Sequence, residues 1–415
     1  MSSTDDNLTE PRAIRSLLDT DMYKLTMQAA ILQHYPTIEV SYKFYNRNSN
    51  HALNLAAYRW LEQEVLLLSD VSITPEEIAF LRRRCPYLPD SYYAFLVDFR
   101  LSPQREVSMS FDQNSRALSI NIHGLWTQTI LYEIPLLSLV SEAYFRYVDM
   151  DWSHREQKER AAQKAEQLIS SGCAFSEFGT RRRRDYQTQD LVLQGLISAQ
   201  AGGTGRLMGT SNVHFAHKYD LQPIGTVAHE WFMGTAAITK DYLHANTRAL
   251  TKWRDTFQNE LGIALTDTFG TNIFLQNFEI ELARKFAGVR QDSGSPEAFA
   301  GRMVQFYQDR GIDPSTKTIV FSDGLTIAKC ISLKKLAIEL GINCSFGIGT
   351  FLTNDFQTLS TQQKSPAMNI VIKLSSANGE PAIKISDEVG KHTGDKDLLI
   401  RVQDLLRKSE VSYVN

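Results

Sequence analysis

A paired-cysteine motif, internal repeats, a membrane-length apolar run and an excess of either charge are all missing from these 415 residues. The four cysteines, Cys85, Cys173, Cys330 and Cys344, include no Cys-x-x-Cys pair. Neither a zinc site nor a redox pair is signalled, and buried thiols in a reducing compartment are expected. The 44 Lys+Arg against 47 Asp+Glu leave a net charge of −3, so the chain is not built around a polyanion. Its most apolar stretch, Thr129 to Phe145, is broken by Glu133, Pro135 and Glu142 and falls short of the ~20 apolar residues a membrane helix needs. Met1 to Pro11 is acidic and polar with no apolar core, which reads as a disordered tail and not as a secretory signal. The expectation is a cytoplasmic protein, nuclear presence left open, with neither a membrane nor a nucleic-acid partner. No G-x-x-x-x-G-K-[ST] loop occurs, which argues against Walker-type nucleotide chemistry, and no apolar strand ends in two consecutive acids.

What is present is ordinary globular composition, 43% hydrophobic and 22% charged, which excludes wholesale disorder. At roughly 150 residues per domain the length suggests two or three domains, or one large barrel with an appendage. Over the first 150 residues, Asp21–Tyr35 and Pro75–Cys85 read as helices and Val40–Tyr45 as a strand. Glu106–Phe111 and Ala117–His123 alternate about a turn at 112–115, as in an antiparallel sheet with helices packed on it.

After Asp151 the texture changes. A charged amphipathic helix, His154–Ser170, precedes seven short apolar runs: Ala174–Phe178, Leu207–Met208, Pro223–Ile224, Ile263–Leu265, Phe286–Val289, Thr318–Phe321 and Cys344–Phe346. Each closes in Gly, Thr, Ser or a charged residue, and helical segments separate most of them. Alternating βα units with strands buried on both faces mean a parallel sheet, and so many polar strand ends favour a barrel over an open doubly wound sheet. Near the end, Asn369–Leu374, a turn at Asn378-Gly379 and Ala382–Ile385 form a hairpin expected to rejoin the N-terminal sheet.

Chemistry gathers at those strand ends. Ser176 to Arg184 carries Gly179-Thr180 and four consecutive arginines, either a solvated or RNA-touching basic face or a phosphate-reading loop. His229 follows Gly225-Thr226, where an imidazole serves equally as a structural group or as base, acid or nucleophile. Arg290-Gln291-Asp292-Ser293-Gly294 and Ser322-Asp323-Gly324 pair carboxylates with small donors, fit for sugar hydroxyls, Mg²⁺ or phosphate. The bland alternative is a helix cap by Ser293 or Ser295 before Pro296, and both can hold together. Gly347-Ile348-Gly349-Thr350 resembles a phosphate cradle, though a short Gly-x-Gly alone is a weak signal, and Asp19-Thr20-Asp21-Met22-Tyr23-Lys24 opens a helix with Asp or Thr serving either as cap or in a functional role.

Together, Leu17–Lys24, Phe175–Arg184, Gly209–Asn212, Gly225–Glu230, Val289–Gly294 and Phe346–Thr350 resemble the nicotinate phosphoribosyltransferase family, in the family's order and most like its eukaryotic, yeast-type branch. The resemblance implies an α/β fold: an irregular parallel α/β barrel of type II phosphoribosyltransferases plus an α/β sandwich built from both chain ends. The corresponding boundaries are a tail over 1–15, the sandwich over 16–150 with 365–415, and the barrel over 151–364. The implied reaction, the first step of NAD salvage from nicotinate, joins nicotinate to 5-phosphoribosyl 1-diphosphate, with ATP as co-substrate, Mg²⁺ and no prosthetic group. By the same resemblance Tyr23 and Phe178 sandwich the pyridine ring, and Ser211, Thr226 and Arg290 lie near its carboxylate. Arg181, Asp292, Asp323, Gly324, Gly349 and Thr350 surround the ribose and phosphates, and His229 is the phosphorylated histidine. Metal ligands stay unassigned. Many family members are homodimers whose neighbouring subunit closes the ring site, so Tyr23 acts either in trans or in cis. The rival readings are a nicotinamide-using relative, which typically has Asp in place of Ser211, and a non-enzymatic RNA- or metabolite-binding protein using Arg181–Arg184.

Overall fold

The computed structural model describes residues 12–199, 201–258 and 260–414. Its first strands are β1 (Glu39–Asn46), β2 (Val107–Phe111) and β3 (Leu118–Leu125). There follow β4 (Ala174–Glu177), β5 (Arg206–Thr210), β6 (Ile263–Leu265), β7 (Gly288–Gln291), β8 (Thr318–Phe321) and β9 (Asn343–Ile348). The chain then adds β10 (Phe356–Gln357), β11 (Lys364–Ser365), β12 (Ile370–Ala377) and β13 (Glu380–Pro381).

Five strands in the order β13-β12-β1-β3-β2 make an antiparallel sheet that joins both chain ends, as expected. Period-two alternation turns Val40, Tyr42 and Phe44 of β1, with Ile120 and Ile122 of β3, onto its buried face. The β2–β3 turn is held by Asp112 Oδ1, which accepts from the N–H groups of Asn114 and Ser115 at 2.8 and 3.1 Å. The apolar stretch becomes, over Glu133–Tyr147, a helix buried almost all round. Among the described residues no helix is long and apolar enough to cross a membrane.

Two boundaries need correction. Of the expected tail, residues 1–11 lie outside the described residues, but Ala13 and Ile14 are buried and the Arg15 guanidinium lies 3.7 Å from the Tyr186 ring centre, so packing starts before Ser16. At the other end, Asn378 and Gly379 turn the chain with φ of 54° and 76°, yet the hairpin's second strand stops at Pro381 and the strand expected over Ala382–Ile385 does not form. The chain leaves for the second sheet instead, where Asp387 and Glu388 accept from the Thr271 and Gly294 N–H groups at 2.8 and 2.7 Å. The final helix, Lys396–Val414, packs on the helix Thr271–Asn277.

The second sheet has six parallel strands in the order β5-β4-β9-β8-β7-β6. The helix Gln157–Ser170 forms within the expected His154–Ser170 segment before the runs, and Tyr186–Ser198, Pro296–Gln308 and Ile327–Glu339 form between them. The third of the seven expected strands, Pro223–Ile224, is only a bridge to Thr210, since proline has no N–H to extend a ladder. Ile224 N–H donates to Thr210 O beside β5 (2.8 Å), while Thr226 Oγ1 donates to Leu261 O and Ile263 O beside β6 at 3.0 and 3.3 Å. This short segment spans the gap between the edge strands. The barrel is irregular at that point.

Candidate active site

A cavity of about 1120 Å³ opens at the C-terminal ends of the parallel strands, where the antiparallel sheet leans over them. Tyr23, Phe178, Thr226 and Arg290 line it, as do His229, Arg181 and Asp292. Asp323, Gly324, Gly349 and Thr350 complete the expected set, so every predicted site residue except Ser211 meets there.

Tyr23 is on the first turn of the helix Met22–His34, which sits directly on barrel loops. Met22 N–H donates to Ser211 O at 2.7 Å, and Thr26 Oγ1 to Thr226 O at 2.6 Å. A Cβ at Gly225 would stand 2.8 Å from Tyr23 N, so only glycine permits this approach. Gly225→Ala should therefore push Tyr23 away and raise the KM for an aromatic substrate; a KM unchanged in a folded variant would show that Tyr23 does not contact it. Lys24, fully buried, pairs with Glu133 (2.5 Å) and Glu230, and Glu230 also accepts from the Tyr42 hydroxyl and Trp126 Nε1. Glu230 is thereby drawn into the interface between the sheets and away from the side chain of His229. Of the two alternatives for Tyr23, one chain already supplies the cis arrangement: Tyr23, Phe178 and Arg290 line one cavity. Mixing Tyr23→Ala with Arg290→Ala protein is expected to restore no activity, and recovery in demonstrated hybrid dimers would return Tyr23 to a trans role.

Ser211 is a correction. It is fully buried behind the wall, and its hydroxyl donates to Asp21 Oδ1 at 2.8 Å. The residue that reaches the cavity is Asp21, which takes the N-cap position of the helix Met22–His34 but makes no side-chain cap. Burial, with Glu177 and Glu133 nearby, pushes its carboxyl up to about 7 against the pull of the Ser211 hydroxyl.

The four arginines separate. Arg183 makes two 2.8 Å bonds to Asp19, both side chains fully buried. Arg184 donates to Asn354 and Ser365 and packs between the Phe145 and Phe356 rings at 3.9 and 4.0 Å. Arg182 is anchored on Asn369 and Ile370 O. Arg181 faces the cavity with no ion pair among the described residues. The 3₁₀ turn Thr180–Arg182 fans these side chains in different directions, so no solvated basic face exists here.

Two cations that sequence reasoning missed stand near Arg181. Arg47, just beyond β1, and Lys373, in β12, line the cavity without a carboxylate within ion-pair distance among the described residues. Burial first, then Arg47, Lys384 and Arg181, push the Lys373 ammonium down to about 7. A lysine inside the apolar run Ile370–Leu374 was the only signal.

At the opposite end His229 opens the helix His229–Thr239. Its Nδ1 meets Thr268 Oγ1 at 3.1 Å; its Nε2 meets Lys384 Nζ at 2.9 Å and Asp292 Oδ2 at 3.0 Å. Burial and then Lys384 hold the imidazole below its usual range, so the ring is neutral near pH 7. Burial resists ionisation of Asp292, but Arg290 and His229 outweigh it and hold that carboxyl well below the usual range. Donor atoms of His229, Asp267 and Asp292 lie within 4.8 Å of one another, a set able to ligate a hard cation. The Lys384 ammonium, 3.2 Å from Asp267 and 2.9 Å from His229, already occupies that centre, so these residues do not fit a resident divalent ion.

The remaining expected residues divide between ligand and scaffold. Arg290 lines the cavity, donates to Val227 O at 3.3 Å and stands 3.9 Å from the Asp292 carboxylate. The Thr226 hydroxyl proton is committed to the barrel closure. Asp323 pairs with Lys391 at 3.0 Å. A Cβ at Gly349 would meet Phe178 O at 2.9 Å, so this glycine allows the Phe178 loop to sit against β9. Ser295 caps the helix Pro296–Gln308 through the Ala298 N–H, while Ser293 donates to Asp267.

Two family models match this chain, the nicotinate phosphoribosyltransferase (NAPRTase) family over residues 173–410 and its N-terminal domain over 18–141. The chain is 52% identical over 406 residues to a Schizosaccharomyces pombe protein named "probable nicotinate phosphoribosyltransferase", covering 96% of this chain and 99% of that one. It is 46% identical to the nicotinate phosphoribosyltransferase of Saccharomyces cerevisiae, covering 98% of each. The crystal structure of nicotinate phosphoribosyltransferase from Porphyromonas gingivalis superposes with a TM-score of 0.88 at 36% identity, covering 95% of this chain and 99% of that one. With this coverage at both ends and throughout the cavity, the chain belongs to the nicotinate phosphoribosyltransferase family, in its yeast-like branch.

Proposed function

We propose that this chain makes nicotinate mononucleotide and diphosphate from nicotinate and 5-phosphoribosyl 1-diphosphate, with ATP hydrolysis coupled to the transfer, as the entry step of NAD salvage from nicotinate. The observation that carries this reading is one cavity lined by two aromatic rings, by Arg290, and by three cations without a carboxylate partner among the described residues. Tyr23 and Phe178 hold the pyridine ring and Arg290 its carboxylate. Arg181, with Arg47 and Lys373, holds phosphate oxygens; Asp292 and Asp323 hold ribose hydroxyls; Gly324, Gly349 and Thr350 offer backbone N–H groups. The pyridine nitrogen forms the new bond to C1 as the C1–O bond breaks and its electron pair leaves with diphosphate. Positioning and charge stabilisation suffice for that displacement, so no protein nucleophile attacks the ribose. Mg²⁺ is best written as an ion carried in on the phosphates, given the Lys384 ammonium among the candidate ligands.

His229 is the proposed phosphoryl acceptor. It is neutral, as a nucleophile must be, and Thr268 and Lys384 between them orient the ring. His229→Asn should abolish acid-labile labelling from γ-³²P ATP and ATP stimulation while slow ATP-independent product formation survives. Persistent labelling would move the phosphorylation elsewhere, and complete loss of the uncoupled reaction would put His229 in the transfer itself. Arg181→Ala should raise the KM for phosphoribosyl diphosphate at least about tenfold, the ~1.4 kcal/mol of one charge-assisted contact. Turnover of nicotinate against nicotinamide, with and without ATP, tests the reading as a whole; preference for nicotinamide would overturn it. The four free buried thiols fit the reducing cytoplasm.

A further inference from the structure

Strand β4 carries an acid at a position where packing alone calls for an apolar residue. Alternation sends Ser176 and Phe178 to the cavity and Phe175 and Glu177 into the core, where Glu177 has no solvent exposure. No cation stands within ion-pair range of it among the described residues, Arg183 being committed to Asp19. Glu177 instead receives three hydrogen bonds, and its neighbours fix their direction. Gly179 N–H donates to one carboxyl oxygen; Gln189 Nε2 (3.0 Å) and Thr210 Oγ1 (2.6 Å) donate to the other. The Gln189 amide is oriented by Arg183, which donates to its oxygen at 3.0 Å. The Thr210 hydroxyl accepts from Asn212 N–H at 3.1 Å, which leaves its proton for Glu177.

The Glu177 side chain thus folds back over two residues and turns the chain at the end of β4, with Phe178 at the apex. Phe178 N–H donates to Ile348 O at 2.8 Å, Thr353 Oγ1 donates to Gly179 O at 2.9 Å, and a Cβ at Gly347 would stand 3.4 Å from the Phe178 ring. Of these holds, the Glu177 bond alone reaches the N–H that follows Phe178, and so fixes the ψ dihedral joining that residue to the 3₁₀ turn. We infer that Glu177 is a positioning residue for the aromatic substrate: through the Gly179 N–H it holds Phe178 in the orientation that lines the cavity. The inference rests on the proposed reading that Phe178 holds the pyridine ring.

The test is a double-mutant cycle on the KM for nicotinate at saturating phosphoribosyl diphosphate, with wild type, Glu177→Gln, Phe178→Ala and the double variant. A carboxamide matches the shape of Glu177 but must set its NH₂ against a donor at one end. Keeping its oxygen on Gln189 and Thr210 satisfies two donors and turns the NH₂ onto the Gly179 N–H, so the turn is released. Glu177→Gln should raise the KM about tenfold in the wild-type background, with kcat within about twofold, and by less than about twofold once Phe178 is alanine. Thr210→Val removes one donor to the same carboxylate. It should give a smaller rise of about threefold that also disappears with Phe178→Ala, and it carries the test if Glu177→Gln does not fold. Equal fold-changes in the two backgrounds would show that Glu177 only supports the barrel and would overturn the inference, as would a folded Glu177→Gln enzyme with the wild-type KM. A Phe178→Ala enzyme with the wild-type KM would instead overturn the assignment of Phe178 to the ring, and the inference with it.

Discussion

Arg183→Ala is expected to cost about 3–5 kcal/mol of folding stability, whereas Arg181→Ala, two residues away, should change it by no more than about 0.5 kcal/mol. Both side chains of the Arg183–Asp19 pair have no solvent exposure, and the guanidinium also donates to Gln189 at 3.0 Å. Taking the cation away strands a buried carboxylate that Asn212 alone, at 2.7 Å, cannot neutralise. Asp19 is held below its usual range despite burial mainly by this arginine, so the loss falls on a group that must stay charged. Arg181 has no such partner and lies beside Arg47 and Arg182, which it repels. Denaturant midpoints of the two variants measure the contrast. Equal midpoints would mean that the run acts as one surface after all.

Arg290→Ala should raise the KM for nicotinate by on the order of a hundredfold, since removing one member of a desolvated charge pair costs about 3 kcal/mol. The Arg290 side chain is largely buried, lines the cavity, and has its nearest carboxylate partner, Asp292, only at 3.9 Å, so an arriving carboxylate would be its closest ionic partner. Arg290 also leads the charges that keep Asp292 ionised, so some loss of kcat should accompany the KM effect. Inhibition by nicotinamide, which carries no carboxylate, should weaken far less. Equal weakening of the acid and the amide would remove Arg290 from carboxylate recognition.

Much of the site was legible because its signals are local. A short apolar run followed by Gly-Thr, Asp-Ser-Gly or Ser-Asp-Gly writes strand and strand end into consecutive residues, and in a parallel sheet all such ends emerge on one side. Those strand ends bring Phe178, Arg181, His229, Arg290, Asp292 and Gly349 around one cavity. The antiparallel sheet from both chain ends was likewise visible in the alternation of β1, β3 and β12.

Local pattern could not say where a side chain goes once its backbone is fixed. Arg181 to Arg184 are four identical letters, and only the 3₁₀ turn and the neighbours at Asp19, Asn354 and Phe145 decide that two are buried scaffold and one is a cavity cation. Ser211 read as a pocket residue, yet the approach of the helix Met22–His34 puts Asp21 in front of it. Arg47, Lys373 and Lys384 meet Arg181 and His229 from positions more than a hundred residues away, a convergence set by pairing of β1 with β12 and by a hairpin that ends early at Pro381. The sequence by itself determined most of the strands and which of their ends carry chemistry, because both depend on residues a few positions apart, whereas the runs at Pro223–Ile224 and Ala382–Ile385 form no strand in the folded chain. Tertiary structure alone decided the charge balance of the cavity, because burial and the approach of distant charges, not residue type, set which groups stay ionised.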